Sequence, residues 1–297
     1  MKYAKLVHNP TAGEGDHSKK KLIKKIEKAG YTCSYSSTKE KGWENIDEDK
    51  TDLLIVAGGD GTVRKSVAKL LTRKVIDKKL PVALLPCGTA NNIAKALGLS
   101  DSIREIISSW GNKNIMKFDV GKIHDLEEAE FFLESFGFGV FPQLIHVMRK
   151  HDDNIENPEE KIQKALRELE KIVDSFAATH ARIIIDGVEH EGKFLLFEIM
   201  NTRSMGPNLD LAPKADPGDG EFEVVLIAED QRKELGEYVK NRIEGTKKKL
   251  SFPIVHAKKI SISIDASLFH ADDQLIETSK PVEIKVEIYP GAVEFLV

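Results

Sequence analysis

The chain reads as an α/β N-terminal domain with a parallel sheet over residues 1–120, followed by a β-rich C-terminal sandwich domain over 121–297. Two observations predict this. Up to about residue 120, short apolar runs alternate with helical patterns, as parallel strands joined by crossover helices require. Beyond that point strand-like runs follow one another with Gly, Pro and Asp between them and few helices, the pattern of an antiparallel sandwich. A length of 297 residues with 41% hydrophobic content is long for one domain and enough for a sizeable core in two.

Lys5 to His8 is the first expected strand, and Ser18 to Lys28 a strongly basic helix ended by Gly30. Tyr31 to Ser36 is a strand, with a short helix expected near Glu44 to Asp47. Leu53-Leu54-Ile55-Val56 is a short buried strand that breaks into Gly58-Gly59-Asp60-Gly61-Thr62 before helical patterning resumes at Val63. Leu80 to Pro86 repeats the arrangement, leading through Cys87-Gly88-Thr89-Ala90-Asn91-Asn92 into the helical run Ile93 to Leu97, which Gly98 stops. Further strands are expected at Phe118 to Ile123, Phe131 to Phe136, Ala181 to Asp186, Lys193 to Met200, Glu221 to Ile227, Ile254 to Ile264 and Val282 to Ile288. Helices interrupt them at Pro142 to Lys150 with Pro158 to Ala178, and at Asp230 to Gly245. The stripe Ile162, Ala165, Leu166, Leu169, Ile172 and Val173 reads as a core-packing face. The closing strand through Phe295 and Val297 is expected to return to the first domain.

A net charge of -4 with 31% charged residues provides no global basic field, which argues against nucleic acid as a partner. Cys33 and Cys87 are too few for a disulfide framework and argue against a zinc site, consistent with a reducing, cytoplasmic setting. No signal-peptide core opens the sequence, and no stretch has the length of a bilayer span. The lysines of the basic helix read either as a solvated face or as a contact for an anionic membrane surface.

The loop Gly58 to Thr62 reads either as a tight strand-to-helix turn or as a phosphate site, where glycines let backbone N–H groups close on anionic oxygens at a helix N-terminus. The second such loop favours the phosphate reading, because ligands of open parallel sheets sit at the carboxyl ends of strands. Thr62, Thr89, Asn91 and Asn92 supply neutral hydrogen-bonding groups there. A carboxylate beside phosphates requires a metal ion or a proton-transfer task, which marks Asp60. The P-loop lysine and the GxGxxG fingerprint are both missing. In Asp216-Pro217-Gly218-Asp219-Gly220-Glu221, oxygen-rich side chains lie where a hairpin turn or a hard-cation loop would place them.

Asn9-Pro10-Thr11-Ala12-Gly13, Gly58-Gly59-Asp60-Gly61-Thr62 and Leu85-Pro86-Cys87-Gly88-Thr89-Ala90-Asn91-Asn92 together resemble the nucleotide-site motifs of the diacylglycerol kinase catalytic domain, shared with soluble bacterial lipid kinases and sphingosine kinases. The first glycine motif is also shared with NAD kinases and 6-phosphofructokinases; the Pro-x-Gly-Thr-Ala-Asn segment points to the lipid-kinase branch. The resemblance extends to Asp219-Gly220 and to Ile288-Tyr289-Pro290-Gly291-Ala292.

The resemblance implies ATP and Mg²⁺ as cofactors and transfer of the γ-phosphate to a hydroxyl of diacylglycerol or a related lipid, met by peripheral, transient contact with the membrane surface. Asn9, Thr38, Gly58, Gly59, Asp60, Gly61, Thr62, Gly88, Thr89 and Asn91 would hold the nucleotide. Read from the residues alone, Thr38 and Asn9 serve equally well as caps of turns. Asp60 would serve the metal or proton transfer, and Asp219 with Asp216 and Glu221 would hold a structural Mg²⁺. The chain departs from the family pattern at His270-Ala271-Asp272-Asp273-Gln274, where relatives carry Asp-Gly-Glu with the glutamate as proposed base. Gln274 is no useful proton acceptor, so either Asp273 reaches in its place, Asp60 does the work, or activity is weak. Arg64 and Asn92 are further departures, and His270 reads as a packed or turn histidine. An NAD kinase-like enzyme and a non-catalytic lipid- or nucleotide-binding protein are the alternatives, and a homodimer is left open.

Overall fold

A computed structural model describes residues 2–13, 17–47, 50–72, 79–150, 157–246 and 252–297. The chain divides into two compact units, Met1–Phe118 with Pro290–Val297, and Asp119–Tyr289.

The first unit begins with β1 (Lys2–His8), α1 (Lys19–Lys28), β2 (Tyr31–Ser37), β3 (Leu53–Gly58), α2 (Asp60–Leu71) and β4 (Val82–Pro86). α3 (Asn92–Ala96), α4 (Ile103–Ser109) and the start of β5 (Ile115–His124) follow. β1 pairs in parallel with β2 and β3, and β3 with β4, giving the order β4-β3-β1-β2; Phe295 from the end of the chain adds a parallel bridge to Val82. All of β3 is buried, as an apolar run covered on both faces should be. α1 buries only Leu22 and Ile26, four residues apart on one face, and its lysines are exposed. The helix expected near Glu44 to Asp47 is not formed: residues 41–44 make a turn and 45–47 have no regular structure. That segment holds too few residues to offset the cost of helix nucleation, and Gly42 adopts a left-handed φ of 77°.

The second unit contains β6 (Phe131–Phe132), β7 (Ser135–Gly139), α5 (Val140–Lys150), α6 (Pro158–Ser175), β8 (Thr179–Ile185) and β9 (Val188–Met200). β10 (Phe222–Ala228), α7 (Arg232–Ile243), β11 (Ile254–Ala257), β12 (Lys259–Ile264), β13 (Leu268–Ala271), β14 (Gln274–Glu277) and β15 (Val282–Leu296) complete it. Antiparallel pairing runs β14-β13-β7-β9-β8-β12-β15, and β10 joins β9 to β11. Phe132, Phe136, Phe138, Phe197, Phe222 and Phe269 are fully buried in one core, and α6 lays Leu166, Leu169 and Val173 into a second. The sequence stripe of α6 is therefore a packing face. The chain changes unit within β5 and within β15.

Two expected strands are split, each by a carboxylate that captures backbone donors. Asp272 accepts the N–H groups of Leu133 and Glu134 where β6 gives way to β7, and Asp186 accepts those of Lys258 and Lys259 at the break between β11 and β12. The hairpin of β13 and β14 and the helix α4 are additions to the expected elements.

Candidate active site

In the first unit the residues singled out from sequence gather at the carboxyl ends of four neighbouring parallel strands, in the loops there and in the first turn of α2. Asn9 follows β1, Thr38 follows β2, Gly59 to Thr62 follow β3, and Gly88 to Asn91 follow β4. The loops are tied to one another through backbone. Asn9 N donates to Ala57 O at 2.9 Å, Thr38 N to His8 O at 2.9 Å, and Cys87 N to Gly58 O at 2.9 Å. The Asn9 amide reaches Thr62 Oγ1 at 3.5 Å, while its Oδ1 accepts from the Thr11 backbone and hydroxyl.

Close approach explains two of the glycines. A Cβ on Gly88 would lie 2.4 Å from Gly59 Cα, and one on Gly59 would lie 3.0 Å from Gly88 Cα, so these loops touch through bare backbone. Room for phosphate is thus not the only demand for glycine here. Asn91 adopts the left-handed conformation at φ 51° and clamps its own loop, accepting from Gly88 N and donating to Gly88 O, both at 2.9 Å. Asp60 joins the two loops: its carboxylate accepts Asn92 N at 3.0 Å and Ile93 N at 3.1 Å, capping α3 from the first turn of α2. Thr62 is buried against Gly58, whereas Thr89 is exposed.

In the second unit the acidic loop is held by its own turns. Asp216 Oδ1 accepts Gly218 N, Asp219 Oδ1 accepts Glu221 N, and the buried Asp119 accepts Gly220 N at 2.7 Å. Glu221 faces His256 and Lys258. Among the described residues no three acidic, histidine or cysteine side chains converge as a metal cage. A cation here would therefore rely on few side chains and on backbone oxygens, which suits a hard ion. The loop does concentrate negative charge. Burial, with Asp219, Asp216 and Glu221 nearby, pushes the Glu223 carboxyl up to about 7.

The departure at 272–274 forms the turn between β13 and β14. Asp272, at φ 55°, directs its carboxylate to the N–H groups of Leu133 (3.0 Å), Glu134 (2.7 Å) and Ser135 (3.3 Å), a structural task. Gln274 donates its amide to Glu128 O at 2.8 Å, a bond that an ionised glutamate could not make. Asp273 is exposed, and its carbonyl accepts from Arg149. Sequence reasoning missed Glu198, which is fully buried and meets the equally buried His270 Nε2 at 2.8 Å. His270 Nδ1 faces Asp272 O, so both ring nitrogens meet acceptors. Burial alone would lower the His270 pKa, but Glu198 and Asp272 raise it overall. A lone glutamate in the apolar run Phe194 to Met200 was the available signal for a buried polar partner.

Known proteins resemble this chain in sequence and in fold. Residues 3–123 match the family described as diacylglycerol kinase catalytic domain, and residues 146–297 the family described as YegS C-terminal NAD kinase beta sandwich-like domain. A diacylglycerol kinase of Bacillus subtilis (strain 168) is 26% identical over 250 residues, covering 81% of this chain and 77% of that protein. One of Staphylococcus aureus (strain MRSA252) is 29% identical over 243 residues, covering 79% and 73%. The crystal structure of a diacylglycerol kinase from Bacillus anthracis str. Sterne shares the fold, with a TM-score of 0.73 over 99% of this chain and 96% of that one at 22% identity. The chain belongs to the diacylglycerol kinase catalytic domain family. That membership supports a phosphotransferase of the kinase type. No helix among the described residues is long and apolar enough to cross a membrane.

Proposed function

We propose that the protein is an ATP-dependent lipid kinase that transfers the γ-phosphate to a hydroxyl of diacylglycerol or a related lipid. The observation that carries this reading is the set of four interlocked loops at the carboxyl ends of parallel strands, two of them in backbone contact at Gly59 and Gly88. Loops so joined give a rigid, backbone-lined cradle of the kind phosphates require. Asn9, Thr38, Gly58, Gly61, Thr62, Thr89 and Asn91 are assigned to holding ATP. When bound, Mg²⁺ would neutralise the phosphate oxygens on which charge develops during transfer.

Asp60 is assigned to the metal or to the proton of the attacking hydroxyl, with Asp273 as the other carboxylate available for the proton. Asp60 is half-buried and accepts two backbone N–H groups, whereas Asp272 is buried beneath three, which excludes it from that task; Gln274 is excluded by its chemistry. We assign a structural Mg²⁺ to Asp219 with neighbouring oxygens of the Asp216 to Glu221 loop, supported by the three carboxylates that this turn gathers within six residues. The exposed lysines of α1 support a transient approach to an anionic membrane surface. Two unpaired cysteines agree with a cytoplasmic setting.

Labelled ATP with Mg²⁺, offered diacylglycerol, sphingosine and NAD in parallel, tests the acceptor class. Label in a lipid supports the proposal. Label only in NAD, or ATP binding without transfer to any acceptor, overturns it.

A further inference from the structure

At the opposite edge of the first unit's sheet from the glycine loops, where β1 and β2 begin, lies a groove of about 860 Å³. Five cations line it: Lys2 from β1, Lys25 and Lys28 from the end of α1, Arg104 from α4, and Lys113 just before β5. Among the described residues no carboxylate lines it, although the chain carries 48 acidic residues against 44 basic ones. The favourable interaction of cations with a helix C-terminus accounts for Lys25 and Lys28. It does not account for Lys2, Arg104 and Lys113, which arrive from other elements. Like charges so gathered repel one another until an anion joins them.

A second observation points the same way. Trp110, which also lines the groove, is 3% exposed, and its indole Nε1–H has no hydrogen-bond acceptor among the described residues. A buried donor without a partner is uncommon in a native fold; the nitrogen is enclosed as the groove stands, so an oxygen-rich ligand that shifts the rim beside the ring, or a water it brings, would supply the acceptor. Tyr31 stands edge-on to Trp110, with centroids 5.9 Å apart, and carries Lys2 over its ring.

We propose that this groove is a second anion site, separate from the glycine loops, that binds a phosphate group bearing at least two negative charges. Such a group belongs equally to a soluble phosphate ester and to a phosphomonoester lipid headgroup, and the test separates these sources. Trp43 and Trp110 are the only tryptophans, so a ¹⁵N-tryptophan-labelled Trp43→Phe protein gives a single indole resonance. Inorganic pyrophosphate should move that resonance downfield saturably as the N–H gains an acceptor. Sedimentation with vesicles of equimolar phosphatidylcholine and phosphatidic acid, against phosphatidylcholine alone, tests the headgroup source.

Replacing the exposed Lys28, Arg104 and Lys113 together by Gln should weaken whichever response occurs by about tenfold or more, since each removes one charge from the ligand's surroundings. Arg104→Lys should largely retain it. A charge-dependent indole shift assigns a soluble phosphate ester, and charge-dependent sedimentation without the shift assigns a lipid headgroup. No response in either arm, or an equal response in the triple variant, overturns the site.

Discussion

Asp272→Asn isolates the structural reading of the segment that departs from the family pattern. The substitution keeps the volume and tolerates the left-handed backbone at φ 55° as well as aspartate does, so the turn itself is undisturbed. The lost quantity is charge. Oδ1 receives Leu133, Glu134 and Ser135 N–H groups at 3.0, 2.7 and 3.3 Å, and Oδ2 receives Leu133 N–H at 3.1 Å. An amide oxygen on the Oδ1 side keeps its contacts as neutral bonds, each weaker by about 1 kcal/mol than its charged counterpart. The amide nitrogen then faces the Leu133 N–H, donor against donor, in a site only 6% exposed to solvent. Summed over the two shorter bonds and this repulsion, the expected loss is about 2–4 kcal/mol. Urea unfolding monitored by hydrogen exchange of the peptide spanning 131–136 reads the loss where it arises. Stability within about 0.5 kcal/mol of wild type, combined with lost transfer activity, would refute the structural role and make Asp272 part of the chemistry.

Other outcomes follow from the same geometry. Gly88→Ala places a Cβ 2.4 Å from Gly59 Cα, so the loops must part; ATP affinity by calorimetry should fall at least about tenfold with a stability loss of about 1–3 kcal/mol. His270→Ala leaves Glu198 buried without its partner and should cost about 3–5 kcal/mol in chemical denaturation. Because the His270 pKa is raised from 6.5, its protonation contributes in full below that pH and loses that contribution as pH rises through the raised value. Burial also raises the Glu198 carboxyl, so His270→Ala alone should still lose stability as pH rises, and only His270→Ala combined with Glu198→Gln should lack the decline. Mg²⁺ should raise the melting temperature of the wild type, and Asp219→Ala should erase the rise; equal responses would remove the metal from this loop.

The first unit was largely legible in the sequence, because β3 and β4 are short continuous apolar runs ending in glycine loops, and burial leaves that pattern no competitor. The segment around Glu44 was misjudged because polar patterning does not show that it is too short to offset helix nucleation or that Gly42 turns left-handed. In the second unit the failures share one cause. Asp186 and Asp272 split strands by offering backbone N–H groups a carboxylate in place of the ladder, which apolar patterning cannot register. The β13–β14 hairpin was obscured because His270 and Asp272 are buried polar groups, and polar residues without alternation look like a site. The candidate site residues themselves were visible as types. That Gly59 and Gly88 meet each other, and that Asp60 caps α3, required coordinates.

The central claim is phosphoryl transfer from ATP to a lipid hydroxyl by this fold, with Asp60 at its centre. Radiolabelled ATP incubated with Mg²⁺, diacylglycerol in mixed micelles, and either wild type or Asp60→Asn measures it directly. The account predicts labelled phosphatidate from the wild type, and a rate for the variant lower by roughly two to four orders of magnitude, the range usual for losing a catalytic proton acceptor. Undiminished transfer by Asp60→Asn, or no labelled lipid from the wild type, would contradict it.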